Sequence, residues 1–253
     1  MCQGIEKMKV LIITVAGMSS RFSQSVGHDV VKSLYYSHNF SESLLYRLVH
    51  QPVDFDKYII VGGYKYKELV NAVSEYFPEM EEKIEMVENP EYMELGSGYS
   101  LYCGLKKALE YDVSEIVFAE GDLFVDSLSY IAICECEQNV ITYNTDPILS
   151  DKAVAFYCNI NQEIRYIYDT GHKALEIKEP FLAVYNSGQI WKFSEIDKVR
   201  VVFDRLLPAA WEGTNLVFIE EYFNYVAKEN ISIKKFDKWI NCNTVQDFYK
   251  IKE

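Results

Sequence analysis

Residues 10–22 read V-L-I-I-T-V-A-G-M-S-S-R-F, and this stretch decides the fold. Its first seven residues are mostly β-branched and apolar without interruption, the pattern of a strand buried on both faces of a parallel sheet. Gly17 then ends the run, which lets the backbone turn tightly and aim N–H groups at an anion. Arg21 adds a fork of donors suited to a polyphosphate, and Lys32 adds a compact second cation. Open α/β sheets bind their ligands at the carboxyl ends of the strands, where this loop falls.

The same alternation continues outward. Y-I-I-V (58–61) reads as a second strand closed by Gly62-Gly63, and a helix over about 67–76 follows. I-E-M-V-E (84–88) is the third strand and E-I-V-F-A (115–119) the fourth, with a helix from Gly98 to Leu109 between them. Ser41 offers an N-cap to a helix whose Leu44, Leu45, Leu48 and Val49 share one face. Strand-like runs recur at 140–143, 153–158, 163–168 and 181–185, among turn signals such as Asp146-Pro147 and Thr170-Gly171. Helical patterns return near 194–205, 219–228 and 244–251. The expectation is an α/β fold: a Rossmann-like, predominantly parallel (mixed) sheet flanked by helices, with a smaller β region in the second half. A single domain over 1–253 is expected, because no linker and no internal repeat divides it.

Composition narrows the partners. The chain is 49% hydrophobic and 25% charged, with a net charge of -13, so its surface repels nucleic acid and anionic membranes. Any phosphate ligand must be small and held by a local cationic site. Cys2, Cys103, Cys134, Cys136, Cys158 and Cys242 include one C-x-C but no second pair at metal spacing, so they read as reduced thiols, not a zinc site. The first residues lack a hydrophobic signal core and the run 10–16 is too short to span a bilayer, which makes the cytoplasm the expected compartment.

A second constellation, F-A-E-G-D-L-F (118–124), places Asp122 at the mouth of the sheet. Mg²⁺ takes one or two carboxylates plus phosphate oxygens and water, so a lone Asp at a strand end is the expected protein share of such a site. Three further segments matter for their order: M-E-L-G-S-G-Y-S (93–100), A-V-Y-N-S-G-Q-I-W (183–191) and D-K-W-I-N-C-N-T-V-Q-D-F (237–248).

Taken together these motifs resemble the nucleotidyltransferase superfamily that includes sugar-1-phosphate nucleotidylyltransferases and bacterial CTP:phosphocholine cytidylyltransferases. Its signature L-A-A-G-x-G-x-R, followed by Pro-Lys, is similar to T-V-A-G-M-S-S-R with Val31-Lys32; Ser19 stands for the second glycine and Val31 for the proline. The resemblance implies that Ala16, Gly17, Met18, Ser19, Ser20 and Arg21 cradle the nucleotide, helped by Gly96, Ser97, Gly98, Glu120 and Gly121. Arg21 and Lys32 would grip the triphosphate as the catalytic cations, with Lys32 stabilising charge at the α-phosphate. Asp122 and Asn243 would hold Mg²⁺, Asn243 replacing the usual aspartate. The implied acceptor residues are Asn186, Gly188 and Trp191, with Lys178 in E-I-K-E-P near the family's Glu-Lys-Pro.

The implied organisation is a nucleotide-binding half over about 9–140 and an acceptor-binding half over about 141–253. The implied activity is Mg²⁺-dependent transfer of CMP from CTP to a small phosphorylated acceptor, phosphocholine or phosphoglutamine-like, with release of pyrophosphate. The 20 Tyr and 14 Phe and the acidic charge favour an acceptor that carries an ammonium group. A UTP- or dTTP-dependent sugar-1-phosphate nucleotidylyltransferase is the alternative, and a non-catalytic nucleotide sensor is the alternative of another class. A glycosyltransferase is disfavoured, since Gly-Asp-Leu stands where Asp-x-Asp is usual. A homodimer stays open.

Overall fold

A computed structural model of the chain describes residues 7–149, 154–167 and 176–252. Cys2, the Thr170-Gly171 turn signal, and the outer ends of the runs predicted at 153–158 and 163–168 lie outside the described residues.

The first half alternates as its sequence implies. Strand β1 (Met8–Val15) leads through α1 (Ser20–Val26) and α2 (Leu44–Val49) to β2 (Lys57–Gly62). Then come α3 (Tyr66–Tyr76), β3 (Ile84–Glu88), α4 (Ser97–Ala108) and β4 (Val113–Glu120). Short β5 (Leu123–Val125) and α5 (Ser127–Cys134) follow, then β6 (Asn139–Asn144), β7 (Ala155–Asn159), β8 (Ile164–Tyr166) and the long β9 (Phe181–Phe193). The chain closes with α6 (Ile196–Arg205), α7 (Leu216–Tyr225), β10 (Ile231–Lys235), β11 (Trp239–Asn241) and α8 (Val245–Tyr249).

The main sheet runs β10-β6-β9-β4-β1-β2-β3, with β7 and β8 branching from β9, while β11 pairs with β5 in a small second sheet. The β1–β2, β1–β4, β2–β3 and β6–β10 pairs are parallel, and β9 lies antiparallel between β4 and β6. The fold is therefore the mixed, mostly parallel α/β sheet that the sequence predicts. Strand β1 explains why: Val10 and Ile12 enter the core beneath α4, α6 and α7, and Leu11, Ile13 and Val15 enter the one beneath α2, α3 and α5. A strand buried on both faces must be apolar at successive positions, so the unbroken run is a burial signal.

Two sequence expectations need correction. Ser43, not Ser41, caps α2: its Oγ accepts from the Tyr46 N–H at 3.2 Å, and Ser41 lies in a short 3₁₀ turn. The strand expected at 181–185 extends to Phe193, because the polar run Asn186–Gln189 that looked like its end is buried inside the sheet. The β6–β9 register shifts between Ile141 and Tyr143, and opposite this bulge Gln189 takes φ 56°. Thr142 stitches it, donating to the Ile190 carbonyl at 2.5 Å and accepting from its N–H at 3.2 Å. Bulges re-aim side chains, and this one turns Gln189 toward the cavities described below. Strands β5 and β10 and helix α5 were not expected, whereas β11 and α8 are the strand end and helix that the resemblance of 237–248 implies.

Candidate active site

Three adjoining cavities open at the carboxyl ends of β1 and β4. A cleft of about 380 Å³ is bounded by the loop Ala16–Ser19, by Lys32, by Gly96, Ser97 and Ser100, and by Glu120–Asp122. A bridging cavity of about 560 Å³ shares Ser97, Glu120 and Asp122 with that cleft. It shares Arg21, Gln189, Asn241 and Asn243 with a third cavity, of about 530 Å³, which Asp146, Asn186, Trp239 and Lys250 help to line. The result is a trench with the expected nucleotide loop at one end and second-half residues at the other.

Local structure fixes its charged floor. The Gly121 N–H donates to the Thr14 carbonyl at 2.9 Å, and a Cβ at Gly121 would strike Val15, so only glycine lets β4 close against β1 before Asp122. Ser19 adopts φ 55°, and its Oγ accepts from the Lys32 N–H at 3.1 Å, so the serine that replaces glycine ties the loop to the lysine. Lys32 Nζ then meets Asp122 Oδ2 at 2.7 Å. Asp122 Oδ1 is buried without a hydrogen-bond partner. An orphaned carboxylate oxygen at a strand mouth is what a cation would fill, because leaving it bare costs about 1–3 kcal/mol.

The β11–α8 turn closes the other side. The Cys242 N–H donates to the Asp122 carbonyl at 2.8 Å, which brings Asn243 into the same cavity as the carboxylate. Asn243 Oδ1 accepts from Arg21 Nη2 at 2.8 Å, while its Nδ2 donates to Asn241 Oδ1 at 2.9 Å. Thr244 caps α8 in a full capping box, so Asn243 is free of that duty. Burial, with the nearby Asp122 charge, pushes the Cys242 thiol up to about 12, so it stays protonated and is no nucleophile. Among the described residues no three His, Cys, Asp or Glu side chains cluster as a metal cage.

Glu120 stands beside this floor. Desolvation first, and the Asp122 charge second, push its carboxyl up to about 7, against the lowering effect of the Asn215 hydrogen bond and Lys32. Asn215 Nδ2 donates to Glu120 Oε1 at 2.8 Å, and the Asn215 N–H donates to Ser97 Oγ at 3.1 Å.

Most predicted site residues therefore converge, but not all in the expected way. Ala16, Gly17, Met18 and Ser19 line the cleft, whereas Ser20 opens α1 with its surface exposed. Gly96 and Gly98 were expected to permit close contact with a ligand. Their close contact is with the segment before α7: their N–H groups donate to the Glu212 and Gly213 carbonyls at 2.7 and 2.9 Å, and a Cβ on Gly96 would land on Gly213. Asn186 lines the second-half cavity, and Gly188 lends its carbonyl to Trp239 Nε1 at 2.8 Å. Trp191 is corrected outright. It is fully buried against Phe118 with Nε1 bonded to Tyr166, because its position on β9 points inward, and it has no surface to offer an acceptor. Trp239 is the tryptophan that lines the second-half cavity. Lys178 is 79% exposed, pairs with Glu176 at 3.5 Å and lines none of the three cavities. Sequence reasoning missed Asn215, Gln189 and Asp146. Only a polar residue at a helix start flags Asn215, and a bulge hides Gln189.

Comparison with known proteins agrees with this architecture. Residues 28–253 match the model of a family described as Domain of unknown function (DUF6564). No curated protein matches the sequence significantly. Among solved structures, the chain is similar to a Bacillus anthracis protein provisionally assigned as a glucose-1-phosphate thymidylyltransferase, at 16% identity and a TM-score of 0.67, covering 96% of this chain and 93% of that one. It is similar to the inositol-1-phosphate CTP transferase from T. maritima, at 17% identity and a TM-score of 0.66, over 98% of both chains. The CTP:phosphocholine cytidylyltransferase from Streptococcus pneumoniae aligns at 14% identity with a TM-score of 0.61, over 97% and 98% of the two chains. The shared fold is that of the nucleotidyltransferases. No helix among the described residues is long and apolar enough to cross a membrane.

Proposed function

The chain belongs to the family described as Domain of unknown function (DUF6564), so its chemistry has to come from its site, and we propose that it is an Mg²⁺-dependent nucleotidyltransferase. The observation that carries this reading is the Lys32–Asp122 pair, 2.7 Å apart, standing where the glycine-loop cleft meets the bridging cavity. A cation beside a half-satisfied carboxylate suits a phosphoryl centre whose charge must be neutralised from two sides.

The triphosphate lies against the loop 16–21, with Arg21 and Lys32 as its cations. Asp122, through its unpartnered oxygen, and Asn243, through its amide oxygen, are the residues that would hold Mg²⁺. Bound there, the metal supplies charge neutralisation at the phosphate oxygens and screens Asp122 from them. An acceptor phosphate oxygen attacks the α-phosphorus, forming one P–O bond as the bond to the pyrophosphate oxygen breaks. A phosphate monoester dianion needs no general base, so the protein's share is positioning and Lys32's stabilisation of the charge building at the α-phosphate.

CTP is the favoured nucleotide and a small phosphate monoester bearing an amine or ammonium group the favoured acceptor, held in the half over 141–253. The likeness to two CTP-using enzymes supports the first choice, and the carboxylates Glu120 and Asp146 along the trench support the second. Five amides lining the two acceptor-side cavities, Asn186, Gln189, Asn215, Asn241 and Asn243, favour one second reading: a UTP- or dTTP-dependent transferase acting on a hydroxyl-rich sugar 1-phosphate. Pyrophosphate release measured for four NTPs against a panel of phosphorylated acceptors decides between them. Release with CTP and an amine-bearing phosphate supports the first reading, release with UTP and a hexose 1-phosphate replaces it, and no release with any pair removes both.

A further inference from the structure

One buried contact in the bridging cavity is left incomplete on both sides. Asn215 is 1% exposed and occupies the N-cap position of α7, where an Asn side chain ordinarily accepts from the first turn and contributes about 1 kcal/mol. Here it makes no capping bond and turns to Glu120 instead, at 2.8 Å. Its Oδ1 is buried with no donor. Glu120 makes no ion pair among the described residues, although its neighbour Asp122 is matched by Lys32. Both residues line the bridging cavity; Glu120 reaches the nucleotide cleft as well, whereas Asn215 lines the bridging cavity and not that cleft, so the pair meets on the acceptor side of Glu120.

We infer that Glu120 and Asn215 form the seat of an N–H-bearing ammonium group carried by the acceptor, an inference that rests on the transferase reading above. The carboxylate lacks a positive charge and the amide oxygen lacks a donor, and a protonated amine supplies both at once. A hydroxyl brings a donor without the charge. A quaternary ammonium brings the charge without a donor, and it is ordinarily held by several aromatic faces. Trp239 is the one aromatic side chain among the described residues lining the two acceptor-side cavities. The geometry thus ranks a primary or secondary amine above choline-like heads.

The test is calorimetric titration of the protein, saturated with Mg²⁺ and the α,β-methylene analogue of CTP, with three probes: O-phosphoethanolamine, phosphocholine and glycerol 3-phosphate. The expected result is that O-phosphoethanolamine binds about tenfold tighter than the other two, the scale of one charge-assisted hydrogen bond. Glu120→Gln and Asn215→Leu should each shrink that advantage to about twofold or less, while Asn215→Asp, whose carboxyl shares one proton with Glu120 across the same contact and keeps one negative charge, should preserve it. Thermal melts of the three variants establish that they fold, and the ranking of the three probes on the unaltered chain still tests the seat if they do not. No binding, equal binding of the three probes, or a preference that survives both Glu120→Gln and Asn215→Leu overturns the seat. If pyrophosphate release proceeds while the probes rank equally, only the seat falls; if no acceptor supports release, the transferase reading falls with it.

Discussion

Two lysine–carboxylate pairs of nearly equal length sit at opposite ends of the chemistry this chain can do. Lys32 and Asp122 meet at 2.7 Å at the mouth of the sheet, and Lys192 and Glu115 meet at 2.8 Å beneath it. The Lys192 side chain is 2% exposed and its ammonium is finished: beyond Glu115 it donates to the Cys134 and Cys136 carbonyls at 2.5 and 2.8 Å. Among the described residues Lys32 Nζ has only Asp122 as a hydrogen-bond partner, both side chains are about 20% exposed, and Asp122 keeps one oxygen bare. Distance does not separate a structural ion pair from a working one. Completeness does, since a group with nothing left to bond cannot greet a substrate.

The largest expected effect falls on the finished pair. Lys192→Met leaves Glu115 only its longer pair with Lys9, 3.4 Å, and takes the donor from the Cys134 and Cys136 carbonyls, and should lower folding stability by roughly 3–5 kcal/mol, read by denaturant unfolding. Turnover per folded molecule should be unaffected; a loss of turnover at unchanged stability would break the contrast. Asp122→Ala should do the opposite, lowering kcat by roughly a hundredfold to a thousandfold with little change in melting temperature. Near-normal turnover in Mg²⁺ would remove Asp122 from the mechanism. Lys32→Ala should lower kcat by about a hundredfold with a smaller rise in KM for the NTP, because the charge it meets develops in the transition state. A rise in KM alone would recast Lys32 as a ground-state anchor.

The smallest effect sharpens the electrostatics. Glu120 is raised from its ordinary 4.5 to about 7 by burial and by Asp122, so between those values the folded chain holds a proton that the unfolded chain has lost. Stability in metal-free buffer should therefore fall as pH rises from about 4.5 to about 7, then level off. Glu120→Gln should flatten that slope. Urea unfolding at four pH values across this range is the measurement, and a wild-type slope matching that of the variant would mean Glu120 is ionised throughout.

What could be read in advance follows from where information lies along the chain. Strand β1 and its loop are contiguous, so Gly17, Arg21 and Lys32 were legible, as was Asp122 at the end of an unbroken apolar strand. Trp191 was misassigned because the buried polar run before it masks the alternation that aims it into the core. Asn215 and Glu120 stand 95 positions apart, and no periodicity links them before the chain folds. Lys192 resembled any surface lysine, and only its three oxygen partners reveal otherwise. The glycines at 96 and 98 were noticed, but their neighbour turned out to be the segment before α7, a contact between distant parts of the chain.

The placement of β9 has a consequence for how the molecule is made. Strands β4 and β6 leave the ribosome well before residues 181–193, yet each needs β9 as its neighbour on one side. Until that strand inserts, a nascent chain carries one bare edge on β4 and, because β10 follows later still, two on β6, the feature most prone to edge-to-edge association. Translation speed and chaperone access between residues 144 and 181 therefore bear on yield, and a nonsense codon in that interval would release a fragment built to aggregate.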